Sequence, residues 1–196
     1  MRHAQKRKSL LRLAQAGETG ALNMENKSKT KDYVLTALFA GLIFFVTAYA
    51  LHIPTPATGG YIHLGDAFVY LAASILPMPL AVAAGGIGEA LSDIMTGGAV
   101  YALPTFIIKS LMAMCFSPSG KTVISKRNTA AAAAAGLICA AGYYVTEALI
   151  YRSFISPAVE IPANLVQAGA SMAIYLLIGK AFDKLNVKSK IARDYF

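Results

Sequence analysis

The sequence predicts an all-α integral membrane protein, a bundle of six transmembrane helices with both termini cytoplasmic. Three observations point there. Apolar residues make up 56% of the chain and charged residues only 14%. The mean hydropathy is +0.53. The basic residues fall in the gaps between long apolar stretches. So few charges could not clothe the surface of a soluble globule, and so apolar a composition excludes a disordered chain. At 196 residues the chain has the length of one domain. Its formal net charge of +8 forms no patch on a soluble face, so no nucleic-acid partner is expected. Cys115 and Cys139 both sit in apolar runs, which leaves neither a disulfide framework nor a four-ligand zinc site.

A bilayer core of about 30 Å takes roughly 20 apolar residues in a helix. Tyr33 to Leu51 meets that length without a charge. Asp66 to Phe116 is apolar but broken by Pro77, Pro79, Gly97, Gly98 and Pro104, and reads as three shorter crossings near 66–77, 80–98 and 102–116. The first of these is so short that a re-entrant segment is an alternative. Thr129 to Tyr151 and Ala163 to Phe182 complete the set. The domain plan is a basic cytoplasmic segment over 1–32, a membrane domain over 33–184 and a basic cytoplasmic tail over 185–196. Eight Lys and Arg residues precede Tyr33, three lie between the fourth and fifth spans and five follow Gly179. Both termini inside places all of these on the cytoplasmic side, as the positive-inside rule requires.

Residues 1–23 are basic and loosely amphipathic, without the apolar core or cleavage site of a signal peptide. They read as an unstructured or untranslated extension, or as an interfacial basic helix on anionic lipid. SPSGKT, ending at Thr122, lacks the first glycine and the preceding strand of a phosphate-binding loop. GGIG at 85–88 lacks the setting of a dinucleotide site and is better explained by close helix packing. The sequon at Asn26 falls in a segment expected to be cytoplasmic. With no HExxH, GxSxG or spaced aspartate cluster, no enzyme, metal or cofactor is expected.

Charges within spans carry the remaining information, because each is expensive in lipid. Glu89 and Asp93 share one face of the third span, and Lys109 lies near mid-depth of the antiparallel fourth. The three form a buried ion pair fixing helix register, or else a polar cavity floor or proton relay. On the fifth span Tyr143, Glu147 and Tyr151 repeat every four residues, placing a carboxylate between two aromatics. Asn164 and Gln167 share a face at the top of the sixth. Together they suit a small polar aromatic solute, although an aromatic belt would explain the tyrosines and helix-to-helix bonding the amides. The first outer loop, HIPTPATGGYIHLGDAF, has turn chemistry and carries His52, Tyr61, His63 and Asp66. It reads as a lid or a plain connector, with Tyr61 and His63 as further candidates and Asp66 as the N-cap of the second span. Ala37 and Gly41 form a small-xxx-small step in the first span, extended by Ala40, that lets another helix approach closely.

The segments GYIHLGDAFVYLAASIL and GGIGEALSDIMTGGAVYALPTFIIKSLM resemble the substrate-binding S component of energy-coupling factor (ECF) vitamin transporters, closest to the riboflavin-type group. The similarity runs from about Asp32 to Lys184. It implies a non-catalytic capture subunit in a prokaryotic plasma membrane. Such a subunit binds a vitamin or precursor outside and docks by its first helix on a transmembrane coupling subunit with two ATPases. Ala37, Ala40 and Gly41 fall where the family's coupling step is expected, with Gly41 replacing its second alanine. The family's solute site, at the first outer loop and the outer ends of the fourth to sixth helices, coincides with Glu147, Asn164 and Gln167. A fold shared among unlike ligands does not name the solute. A hydroxymethylpyrimidine or a vitamin B6 form suits a carboxylate with amides, and riboflavin and pantothenate stay open. A stand-alone ion-coupled transporter of a small solute is the alternative.

Overall fold

The structure, a computed structural model, describes residues 29–50, 53–55 and 60–191. The extension at 1–23, the sequon at Asn26, His52 and the last five residues lie outside the described residues. The chain divides into two units, Met1–Val34 and Leu35–Phe196, and the second contains the helix bundle.

Helix α1 runs Lys29–Tyr49. The first loop then forms a short antiparallel hairpin, β1 Ile53–Thr55 against β2 Gly60–Ile62, pairing Ile53 with Ile62 and Pro54 with Tyr61. Turn residues were expected here and strands were not. The β-branched Ile53, Thr55 and Ile62 favour extended backbone on either side of the turn-forming stretch between them. Helix α2, Gly65–Ile75, follows at once. Eleven residues rise only about 16 Å, so α2 does not by itself traverse a 30 Å core. Its residues are mostly small or apolar all round, and every one except Phe68 is buried. It is the enclosed helix of the bundle, packed on α3 (Met78–Met95), α4 (Ala102–Met114) and α6 (Ile161–Lys184). Helix α5 covers Lys126–Tyr151, and a short α7 covers Val187–Ile191.

Local chemistry sets the ends. Pro79 and Pro162 stand in the first turns of α3 and α6, where a missing N–H breaks no helical bond. The Ser125 hydroxyl caps α5 by accepting from the Asn128 N–H at 3.1 Å. Arg152, in the left-handed region at φ 51°, ends it. The glycines of GGIG serve packing, as expected. A Cβ on Gly86 would lie 2.8 Å from the Phe106 ring, and one on Gly88 2.8 Å from the Ala40 carbonyl oxygen. Helices α4 and α1 therefore reach α3 only because side chains are missing there.

At the end away from the hairpin, Tyr70, Phe116 and Tyr175 form an aromatic cluster with ring centroids 5.1–5.8 Å apart. The connection from α4 to α5 is tied down beside it. Asn128 accepts from the Ser117 N–H and donates to the Ser117 and Val123 carbonyls, and the Asp183 carboxylate accepts from the Val123 and Ile124 N–H groups. Among the described helices α1, α5 and the segment ending with α6 are long and apolar enough to cross a membrane, with α2 and α4 shorter and also apolar.

Candidate functional site

A connected set of buried polar side chains lies where the start of α2 meets α3, α4, α5 and α6. At its centre the Lys109 ammonium of α4 pairs with the Asp66 carboxylate of α2, both fully buried. The other Asp66 oxygen accepts from Gln167 Nε2 of α6 at 3.0 Å, and the Cys139 thiol of α5 lies 3.7 Å away. Gln167 Oε1 in turn accepts from the His63 backbone N–H at 3.0 Å. One amide thus clamps the hairpin loop and the α2 carboxylate to α6. Lys109 also sits 5.3 Å above the Tyr143 ring, whose hydroxyl is 3.0 Å from Thr105 Oγ1.

His63 is oriented by its own loop. Its Nδ1 accepts from the Gly65 N–H at 3.1 Å, so the neutral ring carries its proton on Nε2. That nitrogen is 3.6 Å from Glu89 Oε2 of α3. Gly65 has to be glycine, since a Cβ there would stand 1.8 Å from Thr47 Oγ1 and 2.6 Å from Glu89 Oε1. One turn along α3, Asp93 accepts from the Tyr61 hydroxyl at 2.7 Å. Burial first, and then the charge on Asp93, raise the Tyr61 phenol above its ordinary value, which keeps it a donor. The Tyr101 and Tyr151 hydroxyls meet at 3.1 Å, bridging the approach to α4 and the end of α5.

Two expectations need correction. Lys109 does not pair with Glu89 or Asp93: among the described residues its ion-pair partner is Asp66. Asp66 is also not a helix cap, because Leu64 is the N-cap residue and no side chain caps the helix. The reason is common to both. Helix α2 begins inside the bundle, so its first-turn carboxylate meets α4 rather than water. The expected grouping of Glu147, Asn164 and Gln167 is also redrawn. Gln167 is engaged with His63 and Asp66, Glu147 is buried on α5, and Asn164 is half-buried one turn earlier on α6. Tyr143 and Tyr151 face hydroxyls of Thr105 and Tyr101. The residues that sequence reasoning missed are Thr47, Gly65, Tyr101, Thr105 and Cys139, none of which has a spacing signal.

His63, Asp66 and Glu89 each offer a ligand atom within 4.8 Å of the others. Two of the three are engaged, since Asp66 holds Lys109 and Gln167 while His63 Nδ1 accepts from Gly65. The donor set fits a hydrogen-bonded network better than a metal centre, and no metal role is assigned to it.

A family model described as ECF-type riboflavin transporter, S component, matches residues 27–184. The chain belongs to that family. This S component is therefore a multi-pass membrane protein of a transporter family, and its family is not an enzyme family. A protein of Pyrococcus woesei, described as an uncharacterized protein in gap 3′region, is 39% identical to it over 64 residues. That stretch is 33% of this S component and 43% of the relative, so the chain covers less than half of that relative's length.

Proposed function

We propose that this S component is the capture subunit of an ECF-type importer, taking a vitamin or vitamin precursor from outside the cell and delivering it to a shared energising module. The observation that carries the reading is the family match across residues 27–184. The polar network supports it, since it joins the hairpin loop to α2, α4 and α6. Sixteen of the eighteen Lys and Arg residues precede the first span, fall between the fourth and fifth or follow Gly179, segments that the positive-inside rule assigns to the cytoplasmic face of a six-span bundle in a prokaryotic plasma membrane. The outer site then comprises Tyr61, His63, Tyr143, Glu147, Tyr151, Asn164 and Gln167, on the lidded side.

The outward face of α1 is the docking surface in this reading. Ala37, Leu38, Gly41, Leu42 and Phe45 are exposed, and nothing lies within 4 Å of where a Cβ on Gly41 would stand. Ala40 turns the other way, its carbonyl against Gly88. The coupling step in this reading is Ala37 and Gly41 on the exposed face, with the half-buried Ala40 at its edge.

The test is mass spectrometry of small molecules released from the purified protein, followed by uptake in cells with and without the coupling and ATPase subunits. A stoichiometric vitamin and uptake that needs the ATPases are expected. Uptake that persists without them and collapses with the proton gradient would overturn the reading in favour of an ion-coupled transporter.

A further inference from the structure

Helices α2 and α6 run side by side in the same direction, and polar residues recur at successive turns along their shared seam. On α2 these are Asp66, Tyr70 and Ser74; on α6 they are Gln167, Ser171 and Tyr175. The spacing of four residues puts each set on one helix face. Gln167 Nε2 donates to Asp66 at 3.0 Å, and two turns further along both helices the Ser74 and Tyr175 hydroxyls meet at 3.0 Å. Tyr70 and Ser171 occupy the level between these two bonded pairs.

That middle level differs from its neighbours. Tyr70 and Ser171 are both 0% exposed, and among the described residues neither hydroxyl has a hydrogen-bond partner, the other included. A buried hydroxyl left without a partner is costly, so two at one level call for a group that satisfies both. The Tyr70 ring is not at liberty to swing across and bond Ser171 directly. It is stacked on Phe116 with centroids 5.1 Å apart and set edge-on to Tyr175 at 5.8 Å. The Asp66 and Lys109 charges also act on the Tyr70 hydroxyl, which makes its surroundings polar.

We infer that α2 and α6 hold an ordered water molecule at this level, bonded to Tyr70 Oη and Ser171 Oγ. Water both donates and accepts, as each hydroxyl does, so one molecule satisfies the pair. It turns two bonded levels into three and fastens the enclosed helix α2 to α6 along the whole seam. The site needs no particular captured solute and stands apart from the capture reading.

The experiment is a set of melting curves of the full chain in detergent, with no solute added. Ser74→Ala removes a bond present in the structure and sets the scale of the loss. Tyr70→Phe keeps the stacked ring and Ser171→Ala keeps the helix, so each deletes little beyond its hydroxyl. With a bridging water each variant should melt lower, by a shift comparable with that of Ser74→Ala. The double variant should then melt no lower than the worse single, because the first change already releases the water. Without a water the sign reverses, since deleting a hydroxyl that lacks a partner relieves its burial cost and raises the melting temperature. A rise or no shift in either single variant, or additive losses in the double, overturns the proposal. Radiolytic footprinting in water enriched in heavy oxygen identifies the bridging group. Tyr70 should take up label in the wild type despite its burial, and several-fold less in Ser171→Ala; an unlabelled wild-type Tyr70 overturns the assignment to water.

Discussion

Lys109 carries an ammonium into the interior of a helix bundle, where it is tolerated because Asp66 faces it from another helix. Breaking such a pair from one side leaves the other charge stranded and costs about 3–5 kcal/mol, whereas removing both charges is often close to neutral. Lys109→Met should therefore lower the melting temperature and the monodisperse yield sharply, and Lys109→Met with Asp66→Asn should restore most of the loss. Melting curves in detergent decide it; a single variant as stable as the wild type would show that the pair is not structural. The sequence marked Lys109 as a charge needing a partner, and marked Glu89 and Asp93 as buried acids. It could not name Asp66, since 43 residues separate the pair and a first-turn aspartate has the local signature of a cap. Gln167 was legible as a polar residue on a membrane helix, but its two bonds to the hairpin loop and to α2 depend on contacts more than 100 residues apart in sequence.

At the scale of elements, packing and docking make opposite demands on two glycines. Gly88 lies against the α1 backbone, so Gly88→Ala forces α1 away from α3 and should cost about 1–3 kcal/mol. Gly41 faces outward with open space around it, so Gly41→Leu should leave melting temperature and ligand affinity unchanged. Transport should fall in that variant if α1 docks there, and normal uptake would remove the coupling role from this face. Helix α7 offers a second test. Lys188 is buried and donates to the Thr122 carbonyl at 2.9 Å. Burial pushes its amine down to about 8 against the opposing pull of Asp183. Between about pH 8 and the ordinary value of 10.5 the unfolded chain holds a proton that the folded chain has released, so stability rises with pH through that window. The melting temperature should climb across it in the wild type and stay flatter in Lys188→Met. Equal slopes would show that α7 does not hold the amine as described.

Across the whole molecule the charges are sorted along the chain: sixteen of the eighteen basic residues precede the first span, fall between the fourth and fifth or follow Gly179, and five of the ten acidic residues are buried between Asp66 and Glu160. Residues 1–23 bring five of those basic residues and fall outside the family match. Their deletion should leave ligand affinity and uptake intact, and a loss of either would assign the extension a role. What the sequence determined by itself was the class of molecule and the positions of its helices, because hydropathy, proline and glycine punctuation and charge placement act over a few residues along the chain. It also marked the acids and amides that make the hairpin end polar. Only the tertiary structure decided which of them meet. Helix α2 is too short to reach across the bundle, so its first turn sits inside, and Asp66 becomes the partner of Lys109 and the anchor of Gln167. Such pairings depend on how deeply each helix end is set relative to its neighbours, a quantity fixed by packing among distant segments and absent from any local pattern.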